Sequence, residues 1–242
     1  MNKIVRECIS VLYPKRCPIC GEIIPINKGS VCKDCYKELP FIDGPRCMCC
    51  SKEIASWEEE YCYDCSQKDF NFESGIALWN YSHKMKRSVA YFKYHNRKEY
   101  GHYYGEEFVR NYADVIQGLQ PDALVPVPIH WTRHISRGYN QATILAKEIG
   151  KRMGIPVIED YLIRNKKTEA QKHLNNKERA RNLYKAFSIS KKWEKKVDGL
   201  KRIVIVDDIY TTGSTINACA KVLKQHGTQE VYFFVLCIGS GY

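Results

Sequence analysis

Hydrophobic and polar positions follow two different periods from about residue 75 to the end of the chain. Residues 123–128 form an apolar run that ends in prolines, as expected of a short strand. A helical face follows, with apolar residues at Leu145, Ala146, Ile149 and Met153. Strand and helix patterns that alternate in this way predict a parallel sheet with crossover helices.

A second unit of strand, helix and strand occupies the C-terminal part of the chain. Residues 202–206 are rich in β-branched side chains, which is typical of a strand buried on both faces of a sheet. The following helix stops at Gly227 and has apolar residues at Ile216, Ala220 and Leu223. Residues 231–238 predict another buried strand. The expected fold class is therefore α/β.

A cysteine-rich part precedes the α/β pattern. Ten of the twelve cysteines lie in the first 65 residues, and the composition changes between residues 70 and 75. We therefore expect a cysteine-rich module over residues 1–70 and an α/β domain over residues 75–242. Cys219 and Cys237 lie in apolar patterns, where cysteine usually serves as a small buried residue.

The cysteine-rich module is an internal repeat. The spacing Cys-x2-Cys occurs four times, at Cys17 and Cys20, Cys32 and Cys35, Cys47 and Cys50, and Cys62 and Cys65. The last two pairs repeat the first two after thirty residues, and three further residues recur at the same interval. These are Arg16 with Arg46, Ile24 with Ile54, and Asp34 with Asp64.

Each Cys-x2-Cys turn directs two sulfurs at one tetrahedral ion, and two turns complete a four-thiolate site without an open position for water. The module therefore predicts two structural Zn²⁺ ions in a double zinc ribbon. About thirty residues bury too little apolar surface to fold alone, which favours metal over reduced, metal-free cysteines. Equal spacing within each half favours sequential sites, but a cross-braced pairing of the turns stays open.

The N-terminus lacks the basic and apolar leader of a secreted protein. Residues 4–12 are interrupted by Arg6 and Glu7 and predict an amphipathic helix, and no segment is apolar enough to span a membrane. Clustered cysteines without a secretory signal favour metal over disulfides. We therefore expect a cytoplasmic protein.

The net charge of +11 is distributed unevenly. Residues 1–70 carry 10 Lys and Arg against 11 Asp and Glu, whereas residues 71–242 carry 28 against 16. Two four-thiolate zinc sites would make the first part more negative still. A polyanion should therefore meet the α/β domain first, although a basic solvated surface without a partner also explains the charge.

Candidate chemistry follows the strand at residues 202–206, because ligands of open α/β sheets bind beyond the carboxyl ends of strands. Asp207 and Asp208 can accept hydrogen bonds from ribose hydroxyls or hold Mg²⁺. Residues 211–215 offer hydroxyls, backbone N–H groups and a helix N-terminus to a phosphate. An ordinary helix cap explains one of these hydroxyls but not four. The two commoner nucleotide-binding glycine motifs are absent from the sequence.

Residues 203–215 read Ile-Val-Ile-Val-Asp-Asp-Ile-Tyr-Thr-Thr-Gly-Ser-Thr. This segment closely resembles the fingerprint with which type I phosphoribosyltransferases bind phosphoribosyl pyrophosphate (PRPP). Further motifs, together with the double cysteine module, resemble the ComF family of competence proteins over nearly the whole chain. These motifs are residues 125–128, residues 137–141, Lys93 with Tyr94, Thr168 with Gln171, and Arg179 with Asn182.

The resemblance implies specific ligand contacts. Asp207 and Asp208 would contact the ribose hydroxyls and are the catalytic candidates. The 5′-phosphate would contact Thr211, Thr212, Gly213, Ser214 and Thr215. Residues 129–141 would form a pyrophosphate loop, in which the binding candidates are Arg133, Arg137 and Gly138, with His134 nearby. Residues 164–196 carry 12 Lys and Arg against 3 Asp and Glu and look like a loop that closes over PRPP and its Mg²⁺.

Aromatic residues alternate with cations between residues 79 and 104, as in proteins that stack the bases of single strands. The candidates for nucleic-acid contact are Lys93, Tyr94, Arg97, Lys166, Lys167, Lys172 and Arg181. A helix with a core stripe at Met85, Val89 and Phe92 and a basic outer face explains at least half of the same pattern.

Resemblance and charge together predict a PRPP-binding protein of natural competence. It would handle incoming single-stranded DNA on the cytoplasmic side of the membrane, beside a translocation helicase of the uptake machinery. Two alternatives stay open. One is an active phosphoribosyltransferase of nucleobase salvage, and the other is a zinc-ribbon adaptor whose ligand domain is no longer used.

Overall fold

The structure is a computed structural model that describes residues 14–25, 29–165, 184–194 and 200–239. The amphipathic helix expected over residues 4–12 lies outside these ranges. Among the described helices, none combines the length and the apolar character that crossing a bilayer requires.

Seven helices and six strands lie within the described residues. The helices are α1 (Lys33–Lys37), α2 (Tyr63–Ser66), α3 (His83–Tyr94), α4 (Tyr100–Leu119), α5 (Trp131–Arg137), α6 (Gln141–Met153) and α7 (Ser214–Gln225). The strands are β1 (Gly75–Asn80), β2 (Ala123–Pro126), β3 (Leu162–Arg164), β4 (Phe187–Ile189), β5 (Arg202–Tyr210) and β6 (Glu230–Ile238).

Four strands form one parallel sheet in the order β1-β6-β5-β2, and β3 pairs with β4 in a separate antiparallel ribbon. Val204 and Val206 of β5 pack into a core with α3, α4 and α6. Ile203 and Ile205 pack on the opposite face, in a core with α7. Helices thus cover both faces of the sheet, and the expected α/β fold class is confirmed.

The strand predicted over residues 202–206 is longer than expected. β5 stays paired with β6 as far as Ile209 opposite Cys237 and Tyr210 opposite Ile238. Asp207 and Asp208 therefore lie within the strand and not in a loop after it. The loop that follows is short, because α7 already begins at Ser214.

Helix α3 explains much of the aromatic and basic segment between residues 79 and 104. Ser82 caps its first turn by accepting a hydrogen bond from the N–H of Met85 at 3.3 Å. Met85, Val89 and Phe92 are buried in one stripe, as the core interpretation predicts. Trp79 is buried as well, so these aromatic side chains are not available to a base.

The two zinc ribbons pack on opposite faces of the sheet. Ile19 and Ile24 of the first ribbon (residues 15–39) join the core of α3 and α4. Ile54 of the second ribbon (residues 45–66) joins the core on the α7 face.

The chain between the two ribbons runs along β1. Phe41 forms an antiparallel bridge with Trp79, and the carbonyl of Pro40 accepts a hydrogen bond from the N–H of Asn80 at 2.8 Å. The edge strand of the sheet is thereby covered.

Candidate functional site

The eight cysteines of the repeat form two clusters of four. Within each cluster the sulfur atoms all lie within 4.8 Å of one another. The first cluster is Cys17, Cys20, Cys32 and Cys35, and the second is Cys47, Cys50, Cys62 and Cys65. Each cluster belongs to one ribbon, so the sequential pairing is confirmed and the cross-braced alternative is wrong.

The distances between sulfurs fit a tetrahedral zinc ion. The Sγ atoms of Cys20 and Cys32 are 3.8 Å apart, and those of Cys50 and Cys62 are 3.7 Å apart. Zn–S bonds of about 2.3 Å in tetrahedral geometry place sulfurs about 3.8 Å apart. The neighbouring sulfurs, Cys47 first among them, raise the pKa of the Cys65 thiol, so four thiolates in this space need a compensating cation. The two clusters therefore fit structural Zn²⁺.

Asp207 and Asp208 point to opposite faces of the sheet, because successive side chains of a strand alternate. On the α3 side, Nζ of Lys93 lies 2.8 Å from Oδ2 of Asp208. On the other side, Asp207 accepts a hydrogen bond at 2.9 Å from the N–H of Asp208 and lies within the electrostatic reach of Arg164. The two carboxyl groups thus have different surroundings.

These surroundings raise the pKa values of both Asp207 and Lys93, but for different reasons. Burial, reinforced by the Asp208 carboxylate, raises the pKa of Asp207 to about 7. Burial opposes the charge of Lys93, but the attraction of Asp208 outweighs it and raises the pKa of Lys93. Lys93 therefore stays charged beside Asp208, whereas Asp207 exchanges its proton near neutral pH.

The short loop between β5 and α7 depends on a glycine. Gly213 is the N-cap of α7, with a φ of 74° that favours glycine. A Cβ at this position would lie 2.3 Å from the hydroxyl of Tyr210, so a side chain does not fit.

The hydroxyl groups of this loop do not serve as the helix cap. The N-cap is Gly213, which has no side chain, and Thr211, Thr212 and Ser214 are exposed around it. Oγ1 of Thr212 lies 2.8 Å from Oγ of Ser214. The hydroxyls and the first N–H groups of α7 thus gather at one helix N-terminus, which is a favourable environment for an anion.

Helix α5 occupies most of the segment expected to bind pyrophosphate. Arg133 and His134 are exposed on it, and Gly138 ends it with a φ of 74°. Arg137 donates hydrogen bonds to the hydroxyl of Tyr94 at 3.0 Å and to Oε1 of Gln141 at 3.1 Å.

The end of α3 connects this segment to the acidic pair. The guanidinium of Arg137 lies 4.7 Å from the centre of the Tyr94 ring. The next residue towards the N-terminus is Lys93, which contacts Asp208. Two segments that are far apart in sequence, the α5 segment and the β5 strand, are therefore linked through the last turn of α3.

Some of the predicted site residues do not join this arrangement. Arg97 lies after α3, where its guanidinium is 3.4 Å from Oε1 of Glu99. Lys166, Lys167, Lys172 and Arg181 lie outside the described residues, as does most of the loop predicted to close over the ligand. Their roles stay predictions.

The contact between Lys93 and Asp208 was not expected from the sequence. One available signal was the position of Lys93 four residues after Val89, on the buried side of the helix, where a lysine needs a partner. Arg164 was also missed as a neighbour of Asp207. It lies at the end of β3 with its guanidinium 5.2 Å from the centre of the Phe187 ring, and no local spacing connects it to Asp207.

Comparison with known families agrees with this architecture. A double zinc ribbon domain matches residues 8–66, and a phosphoribosyl transferase domain matches residues 118–241, about half of the chain. The chain belongs to the phosphoribosyl transferase domain family. The second match covers β2, α5, β5 and α7, which are the elements that carry the candidate ligand residues.

Several bacterial proteins are similar over part of the chain. Competence protein F of Haemophilus influenzae is 38% identical over 111 residues, which cover 46% of this chain and 48% of that protein. DNA utilization protein YhgH of Salmonella typhimurium is 39% identical over 121 residues, with 50% and 51% covered. Competence protein ComFC of Bacillus subtilis is 27% identical over 154 residues, with 62% and 58% covered.

The chain spans about half the length of the relatives that it matches. Their names confirm the resemblance to competence proteins of the ComF type.

Proposed function

We propose that this chain binds PRPP with Mg²⁺ at the edge formed by β5 and α7, and that it handles single-stranded DNA during competence. The observation that carries the proposal is the loop at Gly213. It combines a helix N-terminus and exposed hydroxyls with two carboxyl groups a few residues earlier on β5. These groups suit a 5′-phosphate and the hydroxyls of its ribose, respectively.

Positive charge at the same edge supports a diphosphate as part of the ligand. Arg137 can pair bidentately with phosphate oxygens once it leaves Tyr94. Mg²⁺ bound with PRPP would neutralise further pyrophosphate charge. The protein residues hold the ribose and phosphate and orient them, and Lys93 keeps Asp208 in position.

Calorimetric titration of PRPP with Mg²⁺ into the full chain tests this proposal. Replacing both carboxylates, Asp207→Ala with Asp208→Ala, should abolish binding. Thr212→Val should weaken binding by about 1–3 kcal/mol through loss of a phosphate donor. Unchanged affinity in a folded double variant would refute the assignment of the site.

The DNA part of the proposal rests on the relatives' names and on charge. Residues 74–98 and 123–147 contain no Asp or Glu, so the charged side chains of α3 and α5 themselves are all basic, although Lys84 pairs with Glu38 and Lys93 with Asp208. Binding of a labelled single strand should fall steeply as salt rises, with the slope reduced by roughly one unit for each phosphate contact removed. Charge reversal at Lys166, Lys167, Lys172 and Arg181 in the full chain should lower both the affinity and this slope. A variant with unchanged affinity and slope would remove these residues from the interface.

The resemblance to competence proteins also motivates the proposal of a cytoplasmic location beside the DNA-uptake machinery, with its helicase as a partner. Co-purification of the full chain with that helicase, and its loss at high salt, would test this part.

A second candidate is transferase activity with a nucleobase. The pKa of about 7 at Asp207 favours it, since such a carboxyl can exchange a proton with an acceptor at neutral pH. In that reaction the bond from ribose C1 to pyrophosphate breaks, a bond from C1 to a base nitrogen forms, and pyrophosphate leaves. Pyrophosphate release that depends on an added base would support activity, and its absence with bound PRPP would favour a binding role.

A further inference from the structure

The loop between β5 and α7 (residues 211–213, the phosphate loop) rests on a buried aromatic side chain. Tyr210, the last residue of β5, is only 3% exposed, and its ring stacks on that of Phe233 with the centroids 5.0 Å apart. A Cβ at Gly213 would lie 2.3 Å from the hydroxyl oxygen of Tyr210 and 2.7 Å from its Cζ atom. The side chain of Tyr210 therefore forms the floor of the phosphate loop.

The aromatic cluster around Tyr210 continues to the second ribbon. The ring of Phe72 packs edge-on against Phe233, with the centroids 5.0 Å apart, and against Tyr210 at 6.4 Å. Burial raises the pKa of the Tyr210 hydroxyl, and sulfurs of the second ribbon add to this effect, so they lie within its electrostatic reach. Three zinc ligands of that ribbon share one buried core with these rings, namely Cys47, Cys50 and Cys62.

A backbone contact fixes the second ribbon beside the same rings. The N–H of Gly75, at the start of β1, donates to the carbonyl of Cys49 at 3.0 Å. A Cβ at Gly75 would lie 2.2 Å from the ring of Phe233, so this glycine lets the ring lie directly against the strand. The third Cys-x2-Cys turn, the start of β1, Phe233 and Tyr210 thus form a continuous set of packed groups that ends at Gly213.

The first ribbon packs on the other face of the sheet, away from Tyr210. It contacts α3, where Ser88 donates to the carbonyl of Pro18 at 2.5 Å, but that helix is also held by its own core stripe and meets the acidic pair. The buried residues of the first ribbon that join the core of α3 and α4 are Cys17, Ile19 and Ile24. The two ribbons therefore share their metal chemistry but differ in their contact with the phosphate loop.

We propose that Tyr210 is a positioning residue for the 5′-phosphate, and that through Tyr210 the second zinc ribbon holds the phosphate loop in its binding shape. This inference rests on the proposed function and gives one ribbon a part in ligand binding. Groups that bind a ligand must be held within about 0.5 Å of the productive geometry by packed neighbours. Loss of the second ribbon would remove one wall of the aromatic core, so the loop would shift its N–H groups and hydroxyls away from the phosphate.

Titration of three ligands into the full, zinc-loaded chain tests the proposal. The ligands are PRPP with Mg²⁺, ribose 5-phosphate, which needs the phosphate loop, and inorganic pyrophosphate with Mg²⁺, which does not. Tyr210→Leu should weaken binding of PRPP and of ribose 5-phosphate by about tenfold, the equivalent of ~1.4 kcal/mol, because a shifted loop loses a hydrogen bond to a charged group. Pyrophosphate affinity should not change, whereas a general loss of structure would lower it too. Tyr210→Phe retains the ring and should retain most of the affinity.

Cys47→Ser tests the contribution of the second ribbon without altering Tyr210. It should weaken ribose 5-phosphate binding as Tyr210→Leu does and leave pyrophosphate binding unchanged. Two matched controls should leave both affinities unchanged. Cys17→Ser removes a zinc ligand from the first ribbon, and Tyr103→Leu removes a tyrosine of α4 that is also 3% exposed.

Unchanged ribose 5-phosphate affinity in a folded Tyr210→Leu variant would overturn the proposal while leaving the proposed function intact. Equal losses in Cys47→Ser and Cys17→Ser would overturn it as well, and these two variants decide the question if Tyr210→Leu does not fold. An equal loss of pyrophosphate affinity would show that the structure as a whole is disturbed and would also count against it. If the unchanged chain binds neither PRPP nor ribose 5-phosphate, the proposed function itself fails.

Discussion

The two zinc ribbons repeat the same local structure. In the first, the N–H of Cys17 donates to the carbonyl of Glu22 at 2.8 Å, and in the second, Cys47 donates to Lys52 at 2.8 Å. Bridges between Arg16 and Ile23 and between Arg46 and Glu53 recur in the same way. Zinc ligands and turns thus impose one backbone on both halves.

The same ribbons differ in what surrounds them. Arg16 donates to the carbonyl of Gly21 at 3.0 Å and so closes its own turn. Its counterpart Arg46 donates to the carbonyls of Ile42 and Ala77 and to the hydroxyl of Tyr112. One repeated arginine therefore stabilises a ribbon, and the other ties a ribbon to β1 and α4.

This difference shows that local metal chemistry and domain packing are separable. A ribbon needs its four sulfurs to fold, whereas its place on the sheet depends on side chains outside the sulfur set. Substitutions at equivalent positions of the two ribbons can test metal binding and packing on the sheet separately.

The largest effect is expected at the zinc ligands. Cys17→Ser or Cys47→Ser should reduce the zinc content from two ions to one per chain, because structural zinc contributes about 10–16 kcal/mol of binding free energy to a ribbon. Cys49→Ser is the control, since Cys49 lies outside both clusters and should leave two ions bound. Metal analysis decides, and loss of both ions in one variant would show that the ribbons are not independent.

The repeated arginines should differ in stability. Arg46→Ala should lower the free energy of unfolding by about 2–4 kcal/mol, because it removes three part-buried hydrogen bonds at once, to the carbonyls of Ile42 and Ala77 and to the hydroxyl of Tyr112. Arg16→Ala should cost only about 0.5–1.5 kcal/mol, because it removes a single hydrogen bond, to a half-buried turn of its own ribbon. Denaturant titration measures both, and equal costs would mean that the second ribbon is not anchored through Arg46.

The carboxyl group of Asp207 should lower the stability of the folded chain at neutral pH, whereas the arginine contacts raise it. Its pKa is about 7 in the folded chain against about 3.9 when unfolded, so the folded state holds an extra proton between these values. The contribution of Asp207 to stability is therefore fully present below about pH 4 and is lost as the pH rises through 7.

Asp207→Asn should remove this decline and raise stability at pH 8 by about 1–2 kcal/mol, while it weakens PRPP binding. Measurements of the free energy of unfolding across pH 4–8 test whether stability falls as the pH rises. A pH profile that is unchanged by the substitution would place the pKa of Asp207 in its ordinary range.

The smallest effect concerns one backbone position of the repeat. Gly21 and Ser51 occupy equivalent turns with φ values of 83° and 66°, a region that favours glycine. Gly21→Ser should lower stability and Ser51→Gly should raise it, each by about 1 kcal/mol. Thermal unfolding of the two variants measures both changes in stability. If both variants are less stable than the unchanged chain, the side-chain contacts of Ser51 outweigh its backbone strain.

The sequence alone was sufficient for features that depend on short-range spacing. The two sets of four cysteines and the strand-loop-helix unit around Gly213 follow from neighbouring residues, whereas the spacing only favoured the sequential pairing that the structure then confirmed. Metal geometry and helix capping act over a few residues, so their patterns can be read directly. The helix stripe at Met85, Val89 and Phe92 is predictable for the same reason.

Only the tertiary structure decided the contacts between distant segments. The extension of β5 to Tyr210 depends on pairing with β6, and it turns Asp207 and Asp208 to opposite faces. The pairing of Lys93 with Asp208 depends on how α3 packs against the sheet. The two ribbons lie on opposite faces because burial and edge protection, which are properties of the assembled sheet, distinguish residues that the repeat makes equivalent.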